Sequence, residues 1–368
     1  MKFECPRDLF YQSLQIVGKA VPSKSTLPIL SGILLEAKND KLRLVATDLE
    51  LGIESYIPVQ VIEEGAIVLE AKYLTEIIRK LPSQGISVGS VADKNSIEIK
   101  CGASRFVINP MLADDFPSLP ETQETEYWSI PQSQLRKMIK ETVFAVSIDE
   151  TRPFLTGVLW DSQNQDLALV STDTSRLAYS IQRFNEELGE HQVIVPTKCL
   201  TEVNRLLEVD TDESVQVLLS GNHIQFTVGG IRFISRLIDG QFPNYRQVIP
   251  TSFTTEIQVD RIALLSGVER ASLLAREGTS VVRFSIKPEK LALSANVPDV
   301  GETYDEVPIS ASGDTIEIAF NARYITEVLR ILDAETVKMK LTGTHSSAVI
   351  TPENDANYIY VIMPVMLR

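Results

Sequence analysis

The sequence predicts an α+β protein built from three tandem copies of one domain of about 125 residues, each with two helices packed on antiparallel sheets. Three observations carry this expectation. A ten-residue string occurs three times, as KYLTEIIRKL from Lys72, KCLTEVNRLL from Lys198 and RYITEVLRIL from Arg323, with steps of 126 and 125 residues. A longer stretch, TLPILSGILLEAKNDKLRLVATDLELGIES from Thr26, lies without a gap over TRPFLTGVLWDSQNQDLALVSTDTSRLAYS from Thr151. Pro28 and Pro153, Gly32 and Gly157, Thr47 and Thr172, and Asp48 and Asp173 coincide in that match. Each copy also switches between apolar residues three or four apart and strict alternation, the periods of helix and strand.

A leading helix is expected in each of PRDLFYQSLQIVGKAV, PQSQLRKMIKETVFAV and DRIALLSGVERASLLA, the first with Leu9, Leu14, Val17 and Val21 on its apolar face. KLRLVATD, SIEIKCG, SVQVLLS, HIQFTVGG and TVKMKLTG alternate with period two and end in turn residues, which predicts strands. The repeated string is the second helix of each copy, its apolar positions on one face and its Thr-Glu and Arg mostly solvated. The first two copies share their ends, because Arg105-Phe106 leads to Phe116-Pro117 much as Arg232-Phe233 leads to Phe242-Pro243. The third copy is more diverged: KLALSAN, Lys290 to Asn296, keeps the alternation but lacks the Thr-Asp. Polar stretches without apolar period at Glu121 to Thr125 and Ser252 to Thr255 divide the chain into domains at 1–122, 123–252 and 253–368.

Several function classes lose support on composition and motifs. A formal net charge of −14 argues against a protein coated in nucleic acid, so any phosphate contact must be local. Glu4, Arg7 and Asp8 stand where a secretory leader needs an apolar core, and no eighteen apolar residues run together; a cytoplasmic protein off the membrane is expected. Cys5, Cys101 and Cys199 are widely spaced and form no CxxC pair, which suggests neither a disulfide framework nor a zinc site. There is no GxxxxGK[ST], no GxGxxG after a strand and no HExxH. His191, His223 and His345 lack a nearby nucleophile motif, and Asp114-Asp115 has no third acid or His at metal spacing. No catalytic residue, cofactor or metal is therefore expected. Thr47-Asp48 and Thr172-Asp173, duplicated in one fold, read as side chains that satisfy backbone donors after a strand rather than as acid/base pairs.

With LPIL and ATDLE, STDTSRL, RLIDGQFPNYRQVIP and the C-terminal VIMPVMLR in view, the chain resembles the bacterial DNA polymerase III beta subunit family, the replication sliding clamps, over essentially its whole length. The resemblance implies a non-enzymatic processivity factor: two subunits join head-to-tail into a closed six-domain ring around duplex DNA. Twelve helices at roughly 9 Å between axes line a circumference of about 110 Å, which leaves a hole about 35 Å across. Lys72, Arg79, Lys198, Arg205, Arg323 and Arg330 recur once per copy on the repeated helix and are expected to face DNA, with Lys19, Lys24, Arg136, Lys137 and Lys140 adding to them. Asp149 is expected in a loop near the DNA, where a carboxylate repels phosphate.

The same resemblance implies closure by pairing a sheet edge of the first domain with one of the third, with Phe106 and Ile108 on one side and Leu273 and Leu274 on the other. The acidic run Asp299, Glu302, Asp305 and Glu306 is expected to face Lys72 and Arg105 across the joint. An apolar pocket for short linear peptides carries over to Leu155, Thr172, Arg176, Leu177, Pro243, Val248, Ser347, Val361, Ile362, Met363 and Pro364. Partners implied are duplex DNA without sequence preference, a second copy, an ATP-driven clamp loader, replicative and translesion polymerases, and repair factors. Two features depart from the family pattern: Thr174-Ser175 stand where many members have Gly-His, and the chain ends in MPVMLR, longer than the usual ending.

Overall fold

The computed structural model describes residues 1–91, 95–120, 127–277, 280–297 and 300–366. Its α-helices are α1 (Arg7–Val17), α2 (Ala71–Lys80), α3 (Gln132–Thr142), α4 (Thr197–Leu206), α5 (Arg261–Ala271) and α6 (Ala322–Ile331). Each repeat thus has its leading helix and its second helix where the apolar periods put them. Every strand named from the sequence forms: Lys41–Thr47, Ile97–Cys101, Ser214–Ser220, His223–Val228, Lys290–Val297 and Thr336–Leu341. No described helix is long and apolar enough to cross a membrane. The polar stretch at 121–125 lies outside the described residues, and that at 252–255 ends where strand Thr255–Asp260 begins.

Chain contacts divide the molecule into two compact units. One is Met1–Gln132 with Arg205–Leu237; the other is Ser133–Asn204 with Ile238–Arg368. In the first, a five-stranded sheet runs in the order Gln60–Glu63, Lys2–Pro6, Gly85–Ser90, Ile97–Cys101, Ser104–Ile108. An eight-stranded sheet runs Trp128–Pro131, Ser214–Ser220, His223–Val228, Ile231–Arg236, Leu51–Pro58, Lys41–Thr47, Gly32–Lys38, Gly65–Glu70. Strand Ile231–Arg236 of the central copy pairs with Leu51–Pro58 of the first, Phe233 against Ile53 and Ile234 against Gly52, so this sheet crosses a repeat boundary. The buried Glu54 carboxylate fastens the crossing by taking ion pairs from Arg43 on one neighbouring strand and Arg232 on the other.

Helix α1 keeps Leu14 and Val17 of its expected face inward, but its buried stripe is centred on Phe10 and not on Leu9. Phe10, Ser13, Leu14 and Val17 are buried, while Leu9 and Val21 are half-buried. The helix ends at Val17, followed by the tighter turn Gly18–Ala20, so Val21 falls outside its period. Phe10 sets the face because its ring packs edge-on against Phe3 at 5.9 Å, a larger apolar burial than Leu9 offers. Helix α2 buries Ala71, Leu74 and Ile78, and Arg7 donates to the carbonyls of Ile78 (2.9 Å) and Arg79, covering its exposed C-terminal acceptors.

In the second unit, a nine-stranded sheet runs His191–Pro196, Gly157–Gln163, Asp166–Thr172, Arg176–Arg183, Tyr358–Ile362, Ala348–Pro352, Thr336–Leu341, Thr255–Asp260, Ser310–Gly313. A four-stranded sheet runs Gly301–Pro308, Lys290–Val297, Val281–Lys287, Ile316–Asn321. Again one sheet crosses a repeat boundary, with Leu177 opposite Val361. Leu264 and Val268 of α5 and Ile325, Val328 and Leu329 of α6 share one core with Phe284, Phe320, Tyr358 and Tyr360. Asp260 caps α5 by accepting from the Ala263 amide at 2.7 Å, and Asn321 caps α6 through the Arg323 amide at 2.9 Å.

One expectation fails in the third copy: its Thr-Glu is not solvated. Thr326 is buried, and Glu327 is drawn into ion pairs with Arg323 and Arg176. The coinciding glycines have a packing reason. A methyl at Gly157 would meet the Val195 carbonyl and the Ile194 side chain at 2.7 Å, and one at Gly32 would meet Val68 at 2.3 Å. The Val195 contact is backbone within a paired strand and cannot swing away. Gly157→Ala is therefore expected to destabilise the second unit by about 2 kcal/mol, read as a lowered denaturant midpoint at unchanged slope.

Candidate functional site

The residues expected to line a peptide pocket belong to one unit, but strand alternation divides them between two faces of its large sheet. Leu177 and Val361 are opposite neighbours and join a cluster with Leu159, Val170, Tyr245 and Val349, against which Phe154, Phe242 and Ile249 pack. Thr172 pairs with Leu177 and so shares that face. Arg176 and Ile362 also pair with each other, yet their side chains project to the opposite, helix-bearing face, where Ile362 is buried with α5 and α6. Those two side chains therefore lie behind the face on which the pocket is expected. Leu155 is buried at the end of the turn Pro153–Leu155, and Ser347 is half-buried just before strand Ala348–Pro352. The accessible apolar surface comes from Val248, 44% exposed, and Met363, 45% exposed, with Pro243 and Pro364 beside them in sequence. The tail is held by main chain: the Met363 amide donates to the Ser175 carbonyl at 2.8 Å, and the Val365 amide donates to that of Ala319 at 2.8 Å.

The duplicated Thr-Asp has the structural role expected of it. Thr172 Oγ1 accepts from the Thr174 amide at 3.1 Å, and Asp173 Oδ1 from the amides of Ser175 (2.9 Å) and Arg176 (3.1 Å). In the first copy Thr47 accepts from the Leu49 amide at 3.0 Å, and Asp48 from Glu50 (3.0 Å) and Leu51 (2.7 Å). Thr174 and Leu49 hold φ of 78° and 77°, so these side-chain bonds impose the same left-handed turn on residues without glycine's freedom. In the central copy this turn is thus made with Thr174-Ser175.

Two networks at this site escaped the sequence reading. Arg176, 5% exposed, donates from Nε to Asp173 at 3.0 Å, from Nη2 to the Phe144 carbonyl at 2.8 Å and from Nη1 to Glu327, and lies 4.2 Å from the Tyr324 ring centroid. Asp161, 6% exposed, accepts from Tyr245 Oη at 2.7 Å, Arg246 at 2.8 Å and Gln192 at 3.1 Å. Burial, followed by the hydrogen bond to Asp161, pushes the Tyr245 hydroxyl pKa upward. An acid directly after the apolar run GVLW was the available signal, but its partners lie more than thirty residues away along the chain.

Of the expected DNA-facing residues, Lys72 and Arg79 on α2, Lys198 and Arg205 on α4, and Arg323 and Arg330 on α6 are all exposed at equivalent helical positions. Lys19, Lys24 and Lys137 are exposed, whereas Arg136 and Lys140 are half-buried. Many of these cations already have an acid: Arg79 pairs with Glu76 at 2.5 Å, Arg323 with Glu327 at 2.6 Å, Arg330 with Glu269 at 2.7 Å, Lys140 with Asp333 at 3.2 Å, and Lys137 with Asp355. Asp149 is neutralised in its own loop, accepting from the Thr151 hydroxyl (2.7 Å) and amide (3.0 Å) and pairing with Arg152 at 3.3 Å. Those contacts hold its carboxyl below the usual range.

The expected closure surfaces are sheet edges, each in its own unit. Ser104–Ile108 is the outer strand of the five-stranded sheet, with Phe106 37% exposed, Val107 45% exposed and Ile108 half-buried. Gly301–Pro308 is the outer strand of the four-stranded sheet, and Leu273, 56% exposed, with half-buried Leu274 follows α5 beside it in the same unit. Three of the charges expected across the joint are already engaged. Asp305 pairs with Arg270 at 2.6 Å, Glu306 with Lys290 at 2.6 Å, and Arg105 with Glu98. Glu302 is exposed, and Asp299 lies outside the described residues.

Comparison with known proteins agrees over the full chain. Residues 1–120 match the N-terminal domain of the DNA polymerase III beta subunit, 129–244 its central domain and 246–366 its C-terminal domain. A "Beta sliding clamp" from Bacillus subtilis is 35% identical with 99% of each chain covered, and one from Staphylococcus epidermidis is 33% identical with the same coverage. Among solved structures, the Bacillus subtilis DNA polymerase sliding clamp superposes with a TM-score of 0.96 at 34% identity, and a Pseudomonas aeruginosa clamp with a TM-score of 0.94 at 33%, each covering 100% of both chains. The chain belongs to the DNA polymerase III beta subunit family, the bacterial sliding clamps.

Proposed function

We propose that this chain works as a DNA sliding clamp: two copies close head-to-tail into a ring through which duplex DNA passes, and the ring tethers the replicative polymerase. The observation that carries the reading is the recurrence of an exposed basic pair at the same two helical positions in all three copies, Lys72 and Arg79, Lys198 and Arg205, Arg323 and Arg330. A chain of net charge −14 keeps few cations to spare, and repeating them in register gives each domain, taken as 1–122, 123–252 and 253–368, the same face for phosphate. The pairing of Arg79, Arg323 and Arg330 with local carboxylates lowers affinity for any one phosphate, which suits a ring that must slide. Retention then comes from topology, and the protein contributes processivity, with no catalytic step of its own. Loading falls to an ATP-driven loader, and the groove around Val248 and Met363 receives short peptides of polymerases, loader and repair factors. The edges at Phe106 and Ile108 and at Leu273 and Leu274 join the two copies.

The test loads the protein on nicked circular DNA with a clamp loader and then linearises the circle. The labelled protein is expected to leave the linear form within the time it stays on the circle. Equal retention on linear DNA with unblocked ends would overturn the topological mechanism.

A further inference from the structure

The loop after strand Ile231–Arg236 carries Pro243 and Val248; beyond a bridge of Ile238 to Ile194 at its start, its regular structure is the turn Tyr245–Gln247, closed by the Val248 amide on the Tyr245 carbonyl at 3.0 Å. Something must hold it over the sheet. Asp161 lies on the groove face, two residues from Leu159 and opposite Ala168, and both its oxygens are used: Oδ2 by Tyr245 and Arg246 of the loop, Oδ1 by Gln192 of the outer strand. The Tyr245 ring packs on Tyr179 at 5.7 Å, and the Arg246 guanidinium lies 5.0 Å from the Tyr245 ring centroid.

The first copy lacks this arrangement. Aligning Phe116-Pro117 with Phe242-Pro243 puts Leu119 opposite Tyr245 and Pro120 opposite Arg246, and the gapless match of Thr26 with Thr151 puts Glu36 opposite Asp161 and Gly52 opposite Leu177. There Leu119 fills the space above Gly52, where an added methyl would lie 2.4 Å from its side chain, and Glu36 turns to Arg43 at 3.1 Å. In the central copy Leu177 occupies that space instead, and the loop residue reaches out to a buried carboxylate. We infer that Asp161 is a positioning residue for the peptide groove: by locking Tyr245 and Arg246 it fixes Val248 and Pro243 as a preformed wall, and so sets peptide affinity without touching peptide. The inference rests on the groove reading above.

Fluorescence anisotropy with a labelled peptide from the clamp-contacting tail of the replicative polymerase tests it. Asp161→Ala is expected to weaken binding about tenfold, since the loop must then be ordered on binding, with retention on circular DNA unchanged. Tyr245→Phe removes a single hydroxyl and is expected to weaken binding severalfold; it decides the matter if Asp161→Ala does not fold. The double variant Asp161→Asn, Tyr245→Phe should bind no worse than Asp161→Asn alone, because both break one contact. Glu36→Ala, at the equivalent position of the first copy, should leave the peptide affinity unaltered. Wild-type affinity in folded Asp161 and Tyr245 variants, or an equal loss in Glu36→Ala, overturns the inference alone. Failure of the wild-type protein to bind the peptide overturns the groove reading itself.

Discussion

Phe106→Asp is expected to turn the closed ring into monomers at working concentrations. The side chain stands on an outer strand whose neighbours Arg105 and Val107 are also exposed, so an aspartate there leaves the subunit's own core intact. In a head-to-tail dimer each substitution acts twice, because both joints contain it. At about 2 kcal/mol for a central apolar contact, the two joints together lose about 4 kcal/mol, close to a thousandfold in the dimer dissociation constant. Sedimentation over a dilution series checks this, and retention on circular DNA should fall with it. Leu273→Asp changes the opposite side of the proposed joint and should give the same phenotype. Peptide binding should survive in both variants, since the proposed groove residues all belong to one unit of a single subunit.

Arg176→Ala is expected to produce the largest loss of stability in the second unit. The guanidinium is nearly sealed from water and bonded to Asp173, Glu327 and the Phe144 carbonyl, so its removal takes the cation from Asp173 and the Phe144 carbonyl and leaves Glu327 with Arg323 alone. Breaking a buried pair from one side costs about 3 to 5 kcal/mol, to be read as a lowered denaturant midpoint. Lysine should not rescue it, because one ammonium cannot serve three acceptors arranged around a planar fork. The acid limb of stability should change as well. Burial opposes ionisation of Glu327, but hydrogen bonds from Arg323 and Arg176 outweigh it and hold its carboxyl below the usual glutamate range. A folded-state value depressed in this way stabilises the protein above the unfolded value of about 4.3, and that stabilisation is lost as pH falls through the folded value. Wild-type protein should therefore lose stability below about pH 4 more steeply than Arg176→Ala does.

The repeat made most of the fold legible, because helix and strand periods were stated three times over. The position of Phe10 on α1 was less so: a spacing rule finds a stripe of apolar residues, while packing against Phe3 selects which edge of that stripe turns inward. The division of the expected pocket residues was open to the sequence: strand Arg176–Arg183 alternates, with Leu177, Tyr179 and Ile181 toward one face and Arg176, Ala178 and Ser180 toward the other, but a residue set carried over whole from a resemblance does not apply that period. The Thr-Asp turns were readable because their partners are two and three residues away. Lys137 meeting Asp355, Glu54 meeting Arg232 and Asp161 meeting Tyr245 were not, since each joins segments far apart in the chain.

The two sheets that cross repeat boundaries limit how separable the copies are. A fragment ending near residue 122 would strip strand Leu51–Pro58 of Ile231–Arg236 and leave the main chain of Leu51 to Glu54 as an open edge. It would also leave the buried Glu54 carboxylate with Arg43 but without Arg232. Although the chain reads as one unit duplicated twice, each duplicate has come to complete its neighbour's sheet. The copies are modules of descent and no longer modules of folding; expressing one alone should give a sticky, self-associating product, and grafting one between clamps would require the matching strand to travel with it.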